Sequence, residues 1–237
     1  MAQPLTDAIN ALTRYANETT GASDPDLSSA VRTLCDGYGG GSSETLPTEY
    51  QRVEYIAPTN CYIYLGTFSY ENVGFIAEFK VTYRGNTYGP HFLSSDNTYL
   101  RFVPREKGNT LFQLYGGAET TFPPYLPLDT PATGCLFGTL GALGWASNGG
   151  SLIIPKGTVS SGQMYLFTYA GKPGDNWFNF VGEFYSLRIF DGNVMVHNYV
   201  PCYRKADGVI GIYDTVGKEF LTKTGGSGTF AKGADVN

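Results

Sequence analysis

From residue 49 onward, apolar and polar residues alternate with a period of two, and this constrains the chain more than any other feature. Between Val73 and Tyr83, the residues Phe75, Ala77, Phe79, Val81 and Tyr83 alternate with Gly74, Ile76, Glu78, Lys80 and Thr82. Successive side chains of an extended strand point to opposite faces, so this run predicts a half-buried strand. Similar runs cover Tyr50 to Ile56, Cys61 to Thr67, Tyr99 to Val103, Leu111 to Tyr115, Leu152 to Ile154 and Met164 to Tyr169. Later, Phe184 to Phe190 and Val194 to Val200 flank Asp191, Gly192 and Asn193, a strong hairpin signal. Val209 to Tyr213 and Glu219 to Leu221 flank a second turn at Asp214 to Lys218. About a dozen short strands separated by Gly, Pro and Asn turns predict a sandwich, because a sheet with one buried face must pack against another. The aromatic share of 15% suits this, since flat rings pack well on a pleated surface.

The first 38 residues follow a different rule. Leu5, Ala8, Ile9, Leu12, Tyr15 and Ala16 recur at spacings of three and four, which is one face of an amphipathic helix. Pro4 suits its first turn and Gly21 its end. A second helix is predicted with Ser23 or Asp24 as its N-cap, Leu27, Ala30, Val31 and Leu34 as its stripe, and Gly37 as its stop. Helices shorter than about 12–15 residues are marginal alone, so the apolar stripes need a partner. Residues 1–38 are therefore read as a helical hairpin for attachment or homo-oligomerisation, carried by Leu5, Ile9, Leu12, Tyr15, Leu27, Val31 and Leu34. Residues 39–45, opening with Gly39, Gly40, Gly41, Ser42 and Ser43, are a flexible tether, and 46–237 form the β domain.

Several functions are disfavoured. A net charge of −5 with scattered Lys and Arg argues against nucleic acid, whose affinity comes mostly from cationic contacts. No stretch approaches the roughly 20 apolar residues that span a membrane. The start of the chain lacks the basic and apolar regions of a secretory signal, which points to synthesis in a reducing cytosol. Cys35, Cys61, Cys135 and Cys202 contain no CxxC pair and are expected as free thiols, although their even number would allow two disulfides. The glycines follow no phosphate-cradling pattern, and no cofactor is expected.

Catalysis also lacks its usual marks. Glucanase-type sandwiches carry two carboxylates close together on one strand. Here Glu78 is followed by Phe79 and Lys80, and Glu183 by Phe184 and Tyr185. The histidines are His91 and His197, and no G-x-S-x-G elbow accompanies them. A non-enzymatic protein is expected. Asp207 and Asp214 sit at strand ends and read as turn caps rather than calcium ligands, with Arg204 placed to pair with Asp207. Asp96 with Asn97 and Asp175 with Asn176 read as solvated turns. Binding candidates come from aromatic residues in Asn/Gly-rich loops, because sugar C–H faces stack on rings and loops carry recognition. These are Trp145 with Asn148, and Trp177 with Asp175 and Asn176, with Tyr88, Tyr99 and Tyr125 behind them. The same residue types also serve protein interfaces.

Three segments carry a family resemblance. The chain opens its β domain with Leu46, Pro47 and the run Tyr50, Gln51, Arg52, Val53, Glu54, Tyr55, Ile56. A later run holds Pro201, Arg204, Asp207, Gly208, Gly211, Tyr213 and Asp214, and the end holds Gly228, Thr229, Phe230 and Gly233. Together they resemble the laminin-G/concanavalin-A-like jelly-roll β-sandwich domains of phages and prophages. The pattern of residues 1–41 is similar to an attachment module found ahead of such domains in virion proteins. The resemblance covers about residues 46–66 and 163–235, and departs from the family at Pro58 to Thr67, where an expected Asp is missing. It implies a protein of the phage virion surface, a head fibre or decoration or a tail receptor-binding protein. Its N-terminal helices would dock on other virion proteins, and its lectin-like sandwich would meet a host-surface glycan. The alternative is a bacterial carbohydrate-binding module or adhesin; a glycosidase fits less well.

Overall fold

A computed structural model describes residues 45–69, 73–82, 91–95, 100–106, 109–114, 120–122, 129–137, 142–146, 150–154, 161–169, 180–191 and 194–236. The expected helical hairpin, with Leu5, Ile9, Leu12, Tyr15, Leu27, Val31 and Leu34, lies outside the described residues, as does nearly all of the tether.

The described residues form strands joined into two antiparallel sheets. The larger sheet has the order β11 (Gly150–Ile154), β10 (Ala142–Ala146), β9 (Pro131–Phe137), β4 (Val73–Val81), β13 (Gly182–Asp191), β14 (Val194–Arg204), β15 (Ile210–Asp214) and β16 (Glu219–Thr222). Three further strands join it off this path: β1 (Tyr50–Arg52) on β14, β2 (Ile56–Thr59) on β13, and β17 (Thr229–Lys232) on β2. The smaller sheet runs β3 (Ile63–Ser69), β12 (Ser161–Leu166), β5 (Leu93–Ser95), β6 (Leu100–Glu106), β7 (Asn109–Leu114) and β8 (Thr120–Phe122). Both expected hairpins form. Asp191 of β13 stands opposite Val194 of β14, and Asp214 of β15 opposite Glu219 of β16.

One apolar core joins the sheets. Phe75, Ala77, Phe79 and Val81 of β4 face inward as the alternation predicts, beside Phe184, Leu187 and Ile189 of β13. Ile63, Leu65, Phe68, Met164 and Leu166 meet them from the smaller sheet. Rings dominate the contact: Phe92 packs against Phe79 at 4.9 Å and Phe180 at 5.2 Å between centroids, and Phe167 against Phe184 at 5.5 Å. Tilted and edge-on ring pairs of this kind add to the burial of their large apolar area.

The structure corrects several boundaries. The expected strand Tyr50 to Ile56 is two strands, because Val53 bridges to Asp235 and the chain then turns toward β13 and β17. β4 is not simply half-buried: Ile76, on the face opposite Phe75, is as buried as Phe75, so both faces of the strand are covered there. β5, β8, β9, β10 and β17 carry no clean alternation, and β9 even contains Pro131 and Gly134. Of the cysteines, Cys61 and Cys202 are buried free thiols. Burial alone pushes Cys202 up to about 12, which leaves it protonated and unreactive.

One irregularity decides what the smaller sheet shows to solvent. β12 meets β3 with Met164 opposite Gly66 but Tyr165 opposite Tyr64, so Leu65 is an extra residue. Gly66 has φ +117, which an L side chain rarely adopts. Before this bulge, Ile63 and Leu65 point inward; after it the alternation has slipped by one, so Phe68 is buried and Thr67 exposed. Gly66→Val is expected to lose roughly 1–3 kcal/mol of stability through backbone strain alone, because an added Cβ finds open space except for Phe68 at 3.8 Å. Thermal melting of the variant against the parent chain checks this.

Candidate functional site

The bulge lines up aromatic rings on the outward face of the smaller sheet. Tyr62 and Tyr64 alternate with buried Cys61, Ile63 and Leu65, and Tyr165 alternates with buried Met164 and Leu166. All three tyrosines are half-buried and present ring surface to solvent. The Tyr165 centroid lies 5.2 Å from that of Tyr64 and 6.0 Å from that of Tyr62. The planes are turned by 45° and 66° respectively, so the patch is stepped rather than flat. Polar groups edge it. The Tyr165 hydroxyl donates to Gln163 Oε1 at 2.8 Å, and the Tyr64 hydroxyl lies 3.3 Å from Thr67 Oγ1.

The C-terminal glycine-rich segment braces this patch. The Tyr64 amide donates to Thr224 Oγ1 at 2.9 Å, the Tyr62 amide to the Gly225 carbonyl at 3.2 Å, and the Thr224 amide back to the Tyr62 carbonyl at 2.9 Å. A Cβ on Gly225 would come within 2.4 Å of the Tyr62 hydroxyl oxygen, so only glycine lets the ring lie there. Tyrosine offers an apolar ring for stacking and a hydroxyl for hydrogen bonding, the combination a sugar needs.

The loop candidates fare differently. The sequence places Trp145 in an Asn/Gly-rich loop, but it lies within β10, opposite Cys135 of β9 and Ser151 of β11. The Gly- and Asn-rich composition begins after Ala146, the last residue of β10, which pairs with Gly150 of β11. Asn148, Asp175, Asn176, Trp177, Tyr88, Tyr99 and Tyr125 lie outside the described residues, as do Asp96 and Asn97. In the sequence, Tyr62 and Tyr64 stand within the run Cys61 to Thr67, which predicts a strand without singling them out. Their shared parity opposite Cys61, Ile63 and Leu65 already places both on the outward face.

Asp207 and Asp214 act as the sequence suggests. Asp207 takes a two-pronged hydrogen bond from Arg204, with Nη2 at 2.7 Å, and caps the Val209 amide at 3.2 Å. The Arg204 guanidinium holds the Asp207 carboxyl below its ordinary range. Asp214 is buried and accepts from the amides of Asn198 and Val216, both at 3.0 Å, while His197 Nδ1 sits 2.6 Å away. Burial pushes its carboxyl up, but hydrogen bonds from His197 and the backbone outweigh that and hold it low. Among the described residues no group of three or more His, Cys, Asp or Glu could hold a metal ion, and no helix is long and apolar enough to cross a membrane.

The carboxylates of the larger sheet's outer face are tied to cations. Glu183 pairs with Lys80 at 2.5 Å and accepts from Tyr185, whose ring meets Tyr55 edge-on at 6.0 Å. Glu78 accepts from Ser186 at 3.2 Å and faces Arg188 Nη1 at 3.9 Å. Burial pushes the Glu78 carboxyl above its ordinary range despite Arg188 and Ser186.

No family model matches the chain, and no curated protein matches it. Among solved structures, a candidate carbohydrate binding protein from Bacteroides ovatus aligns with TM-score 0.51 at 14% identity, over 78% of this chain and 62% of that one. This chain therefore spans less than two thirds of that protein's length. A native heptameric SAP-like pentraxin from Limulus polyphemus aligns with TM-score 0.47 at 13% identity, over 63% of this chain and 80% of that one. Domains LG4-5 of the mouse laminin alpha1 chain align with TM-score 0.39 at 10% identity, over 62% and 44%. At these identities the likeness is one of fold. The chain has an antiparallel β-sandwich whose structural neighbours include a pentraxin and laminin G domains.

Asp214→Ala removes the acceptor shared by the buried Asn198 amide, the Val216 amide and His197, and is expected to cost roughly 2–4 kcal/mol. Because the folded carboxyl is held low, its stabilisation is present at neutral pH and is lost as pH falls from about 4 toward the folded value. Melting curves across acid pH should show a shallower acid loss in the variant than in the parent.

Proposed function

We propose that the chain is a non-catalytic carbohydrate-binding module with a laminin-G-like sandwich, and that Tyr62, Tyr64 and Tyr165 form its binding face. The carrying observation is the stepped aromatic patch with hydroxyl and amide groups along its edge. The Bacteroides ovatus neighbour, described as carbohydrate binding, supports the same reading at the level of fold. The cation pairing of Glu78 and Glu183 supports a module without glycosidase chemistry, which needs carboxylates aimed at a shared bond.

The position of the chain's entry supports a displayed module. Leu46 packs with Tyr50, Val200, Cys202, Tyr213 and Phe220 on the outer side of the larger sheet. The tyrosines lie on the outer side of the smaller sheet, across the core from that entry. Residues 1–38 are then the part that fastens the module to its carrier or to further copies of itself, leaving the tyrosine face turned away. The sequence resemblance proposes a phage virion as that carrier, and a bacterial surface fits the same geometry.

On a glycan array, the full chain should bind at least one carbohydrate class, and Tyr64→Ala with Tyr165→Ala should weaken it by about tenfold or more while the variant still melts cooperatively. Binding that survives both changes would move the site elsewhere. Incubation with the bound glycan should release no product.

A further inference from the structure

Resting on that reading, we infer that the tyrosine face takes a single, soluble, neutral glycan chain along its length, rather than a crystalline polysaccharide surface, an acidic polymer or one terminal sugar. The ring geometry carries the first part. Tyr64 and Tyr62 are turned by 45° and 66° from Tyr165, with centroids 5.2 and 6.0 Å away. A rigid planar lattice lying flat on Tyr165 meets neither Tyr64 nor Tyr62 face-on. A lone sugar covers one ring. A free chain rotates about its glycosidic bonds, so successive units can tilt to meet successive rings.

The surroundings carry the second part. β3 and β12, which carry Tyr64 and Tyr165, and the flanking β5 contain no Asp, Glu, Lys or Arg. The polar atoms at the ring edges are the neutral Gln163 and Thr67, and Thr224 beside them. The neighbouring Lys223 is turned to the Gly228 carbonyl at 2.7 Å. Among the described residues of these three strands an acidic polymer would meet no cation, whereas hydroxyls find donors and acceptors. The bracing of Tyr62 by Gly225 and of Tyr64 by Thr224 holds the backbone beneath the patch before a ligand arrives, which reduces the ordering cost of binding.

The test uses the full chain in affinity gels cast with soluble neutral polysaccharides or with a polyuronate, pull-down on crystalline cellulose and chitin, and calorimetry with neutral oligosaccharides of increasing length. The expected result is retardation in a neutral soluble gel, affinity rising about tenfold or more from one sugar to three, and little change when salt is raised. Tyr64→Ala and Tyr165→Ala should abolish the length dependence, and Tyr165→Phe, which keeps the ring, should retain it. Equal or stronger binding to the crystalline polymers or the polyuronate, or full affinity for a monosaccharide, would overturn this inference while leaving carbohydrate binding intact. Absence of binding to every carbohydrate offered would instead overturn the underlying reading.

Discussion

The β3–β12 ladder, with its one-residue offset at Leu65, determines which side chains the smaller sheet buries and which it offers to solvent. A strict alternation from Ile63 would have exposed Phe68 and buried Thr67, placing a large apolar ring in water and a hydroxyl in the core. The offset at Gly66 reverses both. Phe68 reaches the core and packs edge-on against His197 of the other sheet at 5.1 Å, and Thr67 joins Tyr64 on the outside. One glycine conformation thus serves the packing of the sandwich and the composition of the outer face together.

The segments of the sequence that carry the family resemblance are brought into contact by the fold. Phe230 stands opposite Pro58 and Lys232 opposite Ile56, so the glycine-rich ending closes onto the opening strands. Gly228 lies so close to the Thr59 carbonyl that a Cβ would fall 1.5 Å from it. The run from Tyr199 to Asp214 forms the β14–β15 pair, with Asp207 and Asp214 each capping the turn beside it. These residues serve chain closure and turn geometry. Thr224 and Gly225 of the same ending support the tyrosine patch from beneath.

Much of this was legible in the sequence. The alternation from residue 49 onward located β4, β13, β14, β15 and β16, both hairpins, and the inward set Phe75, Ala77, Phe79 and Val81. Strands such as β9 and β10 were not legible, because Pro131 and Gly134 in β9 and Gly144 in β10 interrupt the apolar–polar alternation. Trp145 read as a loop residue because Asn148, Gly149 and Gly150 follow it closely, although it is a strand residue. The tyrosine patch was half legible. Parity alone places Tyr62 and Tyr64 together, but their meeting with Tyr165, about a hundred residues later, depends on strand pairing, and its register on a bulge that no local pattern announces.

The most direct measurement of the central claim is tyrosine nitration mapped by mass spectrometry, with and without a bound glycan. The account requires protection at Tyr62, Tyr64 and Tyr165, with Tyr55 and Tyr185 on the larger sheet modified equally in both states. Protection at Tyr55 and Tyr185 instead, or unchanged nitration of all five while the glycan is demonstrably bound, would contradict it.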